Sequence, residues 1–327
     1  MTAFSGLEAV KALNGADEVS TSVVDSFRKQ STLLDRLPYH AMAGRSGGAA
    51  WTYTYRRNIT QPTAAYRAIG EAYTPSVAET VPVTVALSVL GGSVQFDRAI
   101  ANLGNAQELS FQVEQKVKGA RALLHQSMIL GDSSDPLEFD GLSKILADDN
   151  REVDASSAGD AWDLRNITTA AEANTAIAKL EELVGELDDQ DGAFILVNSK
   201  TKAKINHLAR VAGYALTETL DGFGRTVSTF NGLPILDPGA RAGSNTPIIA
   251  NDTDAEGDIA SDIYVVRAGL DGFHGVIRGG GLPMAKVYLP DFEATPGPLA
   301  TAEVEVIAGV AMQSTTAGVV ARGVKVG

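Results

Sequence analysis

The chain has 327 residues, 40 acidic against 27 basic, a formal net charge of −13, and no cysteine. Its length exceeds the size at which a single hydrophobic core stops growing, so two lobes with extensions are expected. The absence of cysteine excludes disulfides and thiolate metal sites, and the acidic surplus excludes binding of nucleic acid through overall charge.

The first 45 residues predict an extended arm, because short helical patterns alternate with polar breaks and no periodicity is sustained. A long two-stranded hairpin is predicted next. Its strands are Trp51–Arg56, with aromatic residues on one face, and Val77–Leu90, where valines alternate with small or polar residues. The polar stretch 58–75 between them forms the tip. Because an isolated two-stranded ribbon is marginal in water, we expect a partner to hold it.

The strongest helix signal covers Asn105–Leu130, and Gly131 follows as a stop signal. Apolar residues recur there every three or four positions and so share one face of the helix. That face comprises Leu109, Val113, Val117, Ala120, Leu124 and Met128. Gly119 inside the helix costs about 1 kcal/mol relative to alanine, which indicates a close approach or a bend at that point.

Helices and short strands alternate in the rest of the chain. The pattern predicts helices over Thr169–Leu187 and Ser199–Val211, with a buried strand at Ala193–Val197 between them. Two strands are predicted within Ile259–Arg278. The tail Ala300–Val326 predicts an antiparallel strand pair.

Patterns that support catalysis or metal binding are missing from the sequence. The four histidines show no metal-ligand spacing; they are His40, His125, His207 and His274. The acidic stretch from Asp252 has Ile263 where a calcium loop requires glutamate. The glycine run 279–281 matches no phosphate-binding template. We therefore predict no catalytic residue, no metal ligand and no cofactor.

A basic group on the third predicted helix leaves two interpretations open. Its members are Lys200, Lys202, Lys204 and Arg210. They form either a solvated helix face, which is the simpler interpretation, or a surface that touches DNA.

The hairpin carries the candidate contacts between subunits. Its arginines suit pairing with carboxylates of a neighbouring copy, because a guanidinium fork binds a carboxylate at two points. The candidates are Trp51, Tyr53, Tyr55, Arg56, Arg57, Arg67, Glu71 and Glu79.

Several segments, taken in order, resemble a known family. They are Leu90–Arg98 leading into the long helix, Gly131–Asp132 with Pro136 and Phe139–Leu142 after it, Val197–Asn198 opening a helix, and Phe230–Ile235. Each motif is weak alone, and their order and spacing over nearly the whole chain carry the signal. The sequence resembles the major capsid proteins of tailed bacteriophages with the Hong Kong 97-type fold.

The resemblance implies an α+β fold with four parts. These are an N-terminal arm over 1–45, an extended β-hairpin loop over 46–92, a peripheral domain over 93–146 and 289–327, and an axial domain over 147–288. The peripheral domain would contain a spine helix at about 105–130. The function implied is structural: self-assembly into hexamers and pentamers that close an icosahedral shell around double-stranded DNA, without sequence specificity.

The resemblance also bears on partners. The long, charged, helical N-terminal segment that scaffolds some relatives is missing, so either it was removed elsewhere or scaffolding is a separate protein. Decoration and portal proteins are further partners that such a shell accommodates. No membrane partner is expected, because the longest apolar stretches, such as Val304–Met312, are too short to span a bilayer. The expected location is the host cytoplasm before assembly and the virion capsid afterwards.

Two other functions compete with the phage capsid. An encapsulin, a bacterial nanocompartment shell of the same fold, would enclose enzymes instead of DNA, and the 45-residue arm favours the phage interpretation over it. An acidic cytoplasmic hydrolase is the alternative from another class, and no nucleophile–base arrangement in the sequence supports it.

Overall fold

The computed structural model describes residues 33–34, 36–42, 51–98, 106–156, 162–213, 217–220, 226–253, 257–278, 285–292 and 297–327. In chain order the elements are β1 (Tyr39–Met42), β2 (Thr52–Thr60), β3 (Glu79–Ala86), β4 (Ser88–Asp97), α1 (Ala106–Leu130), α2 (Leu142–Asp148), β5 (Glu152–Asp154), α3 (Ala170–Gly185), β6 (Ala193–Leu196), α4 (Ser199–Ala212), β7 (Thr217–Leu220), β8 (Thr226–Phe230), β9 (Leu233–Leu236), β10 (Asp252–Thr253), β11 (Ile259–Arg267), β12 (Phe273–Arg278), β13 (Ala285–Tyr288), β14 (Leu299–Met312) and β15 (Gly318–Lys325).

A five-stranded sheet is organised around the long strand β14. Strands β12 and β13 pair with one edge of β14, strand β4 pairs with the other edge, and β1 adds to β12 in parallel. Every second residue of β14, from Ala300 to Ala308, is buried, as expected for a strand with one covered face. The long helix α1 packs against this sheet at β4 and β14.

The second sheet has eight strands. Their order is β5-β15-β11-β6-β9-β8-β7, and β10 pairs with β11. Helices α3 and α4 pack on one face of this sheet, through residues such as Leu180 and Ile205. The other face contributes Phe194, Tyr264 and Val320 to the cluster that also contains the apolar face of α1. The two sheets therefore share one continuous core instead of meeting across a solvent gap.

The predicted pairing of the tail with itself is wrong. Strands β14 and β15 lie in different sheets, because β4 pairs with one edge of β14 and β12 and β13 pair with the other. The segment 313–317 crosses between the sheets, and β15 pairs with β11 and β5. The two strands predicted within Ile259–Arg278 are present as β11 and β12, and they too separate into different sheets.

Three leucines of the predicted arm pack in the core, and strand β1 follows them. Leu33, Leu34 and Leu37 are at most 3% exposed and pack in the core that the two sheets share. The sequence shows no helical or strand periodicity in this segment, because the regular element that follows the leucines, β1, is only four residues long. Residues 1–32, 35 and 43–45 of the predicted arm lie outside the described residues.

Two glycines of the quoted motifs are required by a close backbone contact. Gly131 ends α1, and its carbonyl accepts a hydrogen bond of 2.8 Å from the Gly141 amide. A Cβ at residue 141 would lie 2.6 Å from the Ser127 carbonyl oxygen. Gly119 is different, because a Cβ there would meet nothing within 4 Å outside the helix's own backbone. The close approach expected at Gly119 is therefore wrong.

The contrast between these glycines gives a matched prediction. Gly141→Ala lowers the free energy of unfolding by about 1–3 kcal/mol, because the backbone must shift to admit a methyl group. Gly119→Ala raises it by roughly 0.5–1 kcal/mol, because alanine is the better helix former and the site has space. Urea unfolding of both variants measures the difference, and equal effects of the two substitutions would contradict this account.

Candidate assembly surface

The hairpin of β2 and β3 projects from the five-stranded sheet. The strands pair antiparallel from Thr52 with Ala86 to Thr60 with Glu79. Residues 61–78 form the tip, which has no regular secondary structure beyond a turn at 69–70. The predicted second strand is divided at Leu87, where β3 leaves the hairpin and β4 joins the sheet. The buried Leu87 donates its amide hydrogen to the Trp51 carbonyl oxygen at 2.8 Å, which closes the base.

Two tyrosines attach the hairpin base to the subunit's own sheet. Tyr55 is buried and its hydroxyl donates to the Met312 carbonyl oxygen at 2.7 Å. The Tyr53 hydroxyl accepts from Gln313 Nε2 at 3.0 Å. Burial raises the pKa of the Tyr55 phenol, so the group stays a neutral donor. The base therefore behaves as part of the folded subunit.

Arg57 fixes the direction in which the hairpin leaves the body. Its side chain is 17% exposed, and its Nη1 donates to Asp149 Oδ1 at 2.7 Å. Its Nε donates to the Gln313 carbonyl oxygen at 3.0 Å and its Nη2 to the Met312 carbonyl oxygen at 2.8 Å. A guanidinium held at three points defines an orientation as well as a contact. This side chain is thus engaged within its own chain.

Substitution of Arg57 tests this anchor. Arg57→Ala lowers the free energy of unfolding by about 2–3 kcal/mol, because it removes charged hydrogen bonds and leaves the mostly buried Asp149 without its cation. Arg56→Ala is the matched control, since Arg56 is the exposed neighbour on the opposite face of β2 and its loss changes stability by less than about 0.5 kcal/mol. Chemical denaturation measures the free energy of unfolding of both variants. Equal losses of stability would show that Arg57 does not anchor the hairpin.

The hairpin tip presents apolar side chains to solvent. The large hydrophobic residues that are at least 60% exposed there are Tyr66, Ile69, Tyr73 and Val77. The contacts within the tip are local: Arg67 donates to the Glu71 carbonyl oxygen at 3.1 Å and lies 5.2 Å from the centroid of the Tyr73 ring. A cluster of exposed apolar groups on a projecting segment is typical of a surface that packs against another protein.

The candidates from the sequence fall into two groups. Tyr53, Tyr55 and Arg57 turn inward and hold the hairpin to its own subunit. Trp51, Arg56, Arg67, Glu71 and Glu79 are exposed, and the Trp51 ring lies 5.0 Å from the Arg278 guanidinium carbon. Asp149 and Gln313 could not be predicted from the sequence as anchor partners, because no local pattern links residues so distant in the chain. The apolar tip could have been noticed as large side chains in an otherwise polar, turn-rich stretch.

Elsewhere in the described ranges, no group of three or more His, Asp or Glu side chains is arranged to hold a metal ion, and no helix is long and apolar enough to cross a membrane. Burial, reinforced by Arg121, lowers the pKa of His125 to about 3, so this histidine is neutral.

In the basic group on α4, Lys204 Nζ donates to the Arg165 carbonyl oxygen at 2.9 Å, and Arg210 is exposed.

Comparison with known proteins identifies the architecture. No family model and no curated protein sequence matches the chain. Solved structures do: the capsid of the empty GTA particle superposes with a TM-score of 0.57 at 15% identity, over 90% of this chain and 89% of that one. The holo-SrpI encapsulin complex from Synechococcus elongatus PCC 7942 gives 0.56 at 16% identity, over 90% and 87%. Microbacterium phage Oxtober96 gives 0.54 at 14% identity, over 89% and 90%.

The chain has the fold of these shell proteins. The α+β capsid fold of Hong Kong 97 type that the sequence resembles is thereby confirmed. The long helix predicted at Asn105–Leu130 is present as α1.

Proposed function

We propose that the chain is the major capsid protein of a tailed bacteriophage, a structural protein without catalytic activity. Its copies assemble into hexamers and pentamers that close an icosahedral shell around double-stranded DNA. The observation that carries the proposal is the hairpin: a base locked to its own subunit and an apolar tip directed away from it, on a fold otherwise seen in capsids and an encapsulin. Exposed apolar groups on a projecting segment mark a surface that packs against another protein, here a second copy.

The parts of the subunit are assigned from the sheets. The five-stranded sheet with α1 makes the peripheral domain, and the eight-stranded sheet with α3 and α4 makes the axial domain. Residues 46–92 then make the extended loop and 1–45 the arm, and each range contributes to the five-stranded sheet, through the start of β4 and through β1 respectively. Strands β12 and β13 precede the boundary at 288–289 expected from sequence, yet they join the five-stranded sheet. Strand β15 follows that boundary, yet it joins the eight-stranded sheet.

The exposed hairpin residues are the proposed contacts with neighbouring copies. Arg56 and Arg67 are placed to meet carboxylates such as Glu71 or Glu79 of another copy, while the apolar tip supplies the buried area. Each contact is modest, and many per subunit make the shell stable through multivalency. Packaged DNA, a separate scaffolding protein, decoration proteins and a portal are the further proposed partners, with the host cytoplasm as the site of synthesis.

The encapsulin structure supports one alternative, a bacterial nanocompartment with the same subunit fold. The contents of the shell distinguish the two functions. Particles purified from the producing host and treated with nuclease should release protected double-stranded DNA on denaturation. A single enzyme co-purifying inside DNA-free shells would establish the nanocompartment and refute the phage function.

The shell is predicted to contain no covalent cross-links between subunits. Some relatives join a lysine of the extended loop to an asparagine of a neighbour's peripheral domain. This chain has no lysine between Lys29 and Lys116, so the extended loop has no amine to react. It has no asparagine after Asn251, so the C-terminal part of the peripheral domain has no carboxamide of that kind. Boiled particles should give a single band near 34.2 kDa on a denaturing gel. A ladder of multimers that survives boiling in detergent would show this prediction to be wrong.

A further inference from the structure

Three side chains from separate segments meet beneath the hairpin base. His40 lies on β1, Tyr53 on β2 and His274 on β12. The centroid of the Tyr53 ring lies 4.9 Å from that of His40 and 5.8 Å from that of His274, with the His274 ring nearly perpendicular to it at 87°. We call these three residues the clasp. Through them β1 and the hairpin contact each other as well as the sheet, so the clasp is a contact that the two segments share in addition to their separate anchors.

The protonation state of His274 is fixed by its surroundings. The residue is fully buried, and its Nδ1 lies 3.1 Å from the Gly272 carbonyl oxygen. Since a carbonyl only accepts, Nδ1 carries the hydrogen and the neutral ring leaves a lone pair on Nε2. Nε2 is buried without a hydrogen-bond partner among the described residues. Protonation would add a charge and an unsatisfied N–H inside the clasp, which is costly in an apolar site.

Several titratable or charged groups lie in the clasp or next to its members. They are Tyr39 and His40 on β1, Tyr53, Tyr55 and Arg57 on β2, and Asp271 in the turn before β12. Strands β3 and β14 contribute apolar side chains to this cluster. Desolvation outweighs the favourable influence of Asp271 and, with His40 acting in the same direction, lowers the pKa of His274 below its ordinary value of 6.5.

We propose that the clasp is an acid-sensitive latch that holds β1 and the hairpin base on the sheet while His274 is neutral, and that acidification releases both segments together. The latch is a property of the subunit and does not rest on the proposed function. Its consequence for a shell does: the two segments released are those that would reach neighbouring copies, so acid would weaken contacts between subunits without unfolding the shared core.

The direction of the pH dependence follows from proton linkage. A released His274 regains its ordinary pKa and binds more protons than the buried one, so the closed state loses stability as pH falls below 6.5. One proton limits the effect to at most about tenfold in the closing equilibrium per pH unit. The loss stops growing once the pH passes below the pKa of the buried ring.

Hydrogen exchange of the full chain between pH 8 and pH 5 tests the latch, with rates normalised to those of unstructured peptides. Peptides that cover Tyr39–Met42 and Thr52–Thr60 should lose protection together below pH 6.5, by up to about tenfold per pH unit, while peptides from β14 keep theirs. His274→Phe keeps an aromatic ring without a titrating group and should give flat profiles. His207→Gln, at an exposed histidine of α4, should keep the wild-type profile.

A second measurement covers the case in which His274→Phe does not fold. The chain has four histidines, so NMR titration of their ring signals in the unassembled wild type can follow each one. The His274 signal should titrate over the same pH range as the loss of protection. Constant protection between pH 8 and pH 5, release of one segment without the other, or a His274 titration at a different pH would each overturn the proposal.

Discussion

Removing residues 1–40 unfolds the subunit, whereas removing residues 1–32 leaves it folded. The longer deletion takes away Leu33, Leu34 and Leu37, which are buried in the core shared by both sheets. Truncating one buried leucine to alanine costs about 2–5 kcal/mol. The loss of three is therefore comparable with the whole free energy of unfolding of a typical domain, about 5–15 kcal/mol. The deletion also removes the first half of β1 and its pairing with β12.

Circular dichroism and thermal unfolding of the two truncated chains measure this difference. The chain that begins at residue 33 should show a cooperative transition close to that of the full chain. The chain that begins at residue 41 should show none at 25 °C. If both remain folded with similar midpoints, the three leucines do not contribute to the core as described here.

Replacing two apolar residues at the hairpin tip abolishes assembly without lowering the stability of the subunit. Tyr66 and Ile69 are fully exposed in the isolated chain, so Tyr66→Ala with Ile69→Ala removes no internal packing. Burying such a side chain against a neighbour contributes about 1.5–3 kcal/mol. Losing two at every contact therefore weakens each association by well over tenfold. Sedimentation of the variant should show subunits or small oligomers where the wild type forms large particles.

The same segment provides the control for this prediction. Gln61→Ala with Thr63→Ala changes two exposed polar residues of the tip and should leave assembly as in the wild type. Both double variants should unfold at the same denaturant concentration as the full chain. Particles formed equally well by the two variants would mean that the apolar tip does not carry the contact.

Local patterns were sufficient to predict the elements whose structure depends on neighbours in sequence. The helical period of α1 and the stop at Gly131 placed that helix to within one residue. The alternating residues of β2 and β3 predicted the hairpin. The motifs around Gly131 and Gly141 contributed to the family resemblance. The structure shows why glycine is needed there: the two backbones are in direct contact.

Features that depend on distant partners could not be predicted in the same way. The alternation from Val77 to Leu90 continues without interruption through Leu87, so it does not reveal that the partner strand changes from β2 to β14 there. The anchor between Arg57 and Asp149 joins residues 92 positions apart, and each looks like an ordinary exposed charge in the sequence. The sheet that β15 joins could not be predicted either, because its valines suit a buried position in either sheet equally well.

Cryo-electron microscopy of the assembled protein tests the central claim most directly. The proposed function predicts closed icosahedral shells built from six-fold and five-fold rings, with each hairpin tip packed on a neighbouring copy and each hairpin base on its own subunit. A chain that remains a monomer under all conditions, with and without the proteins of its producing cell, would contradict it.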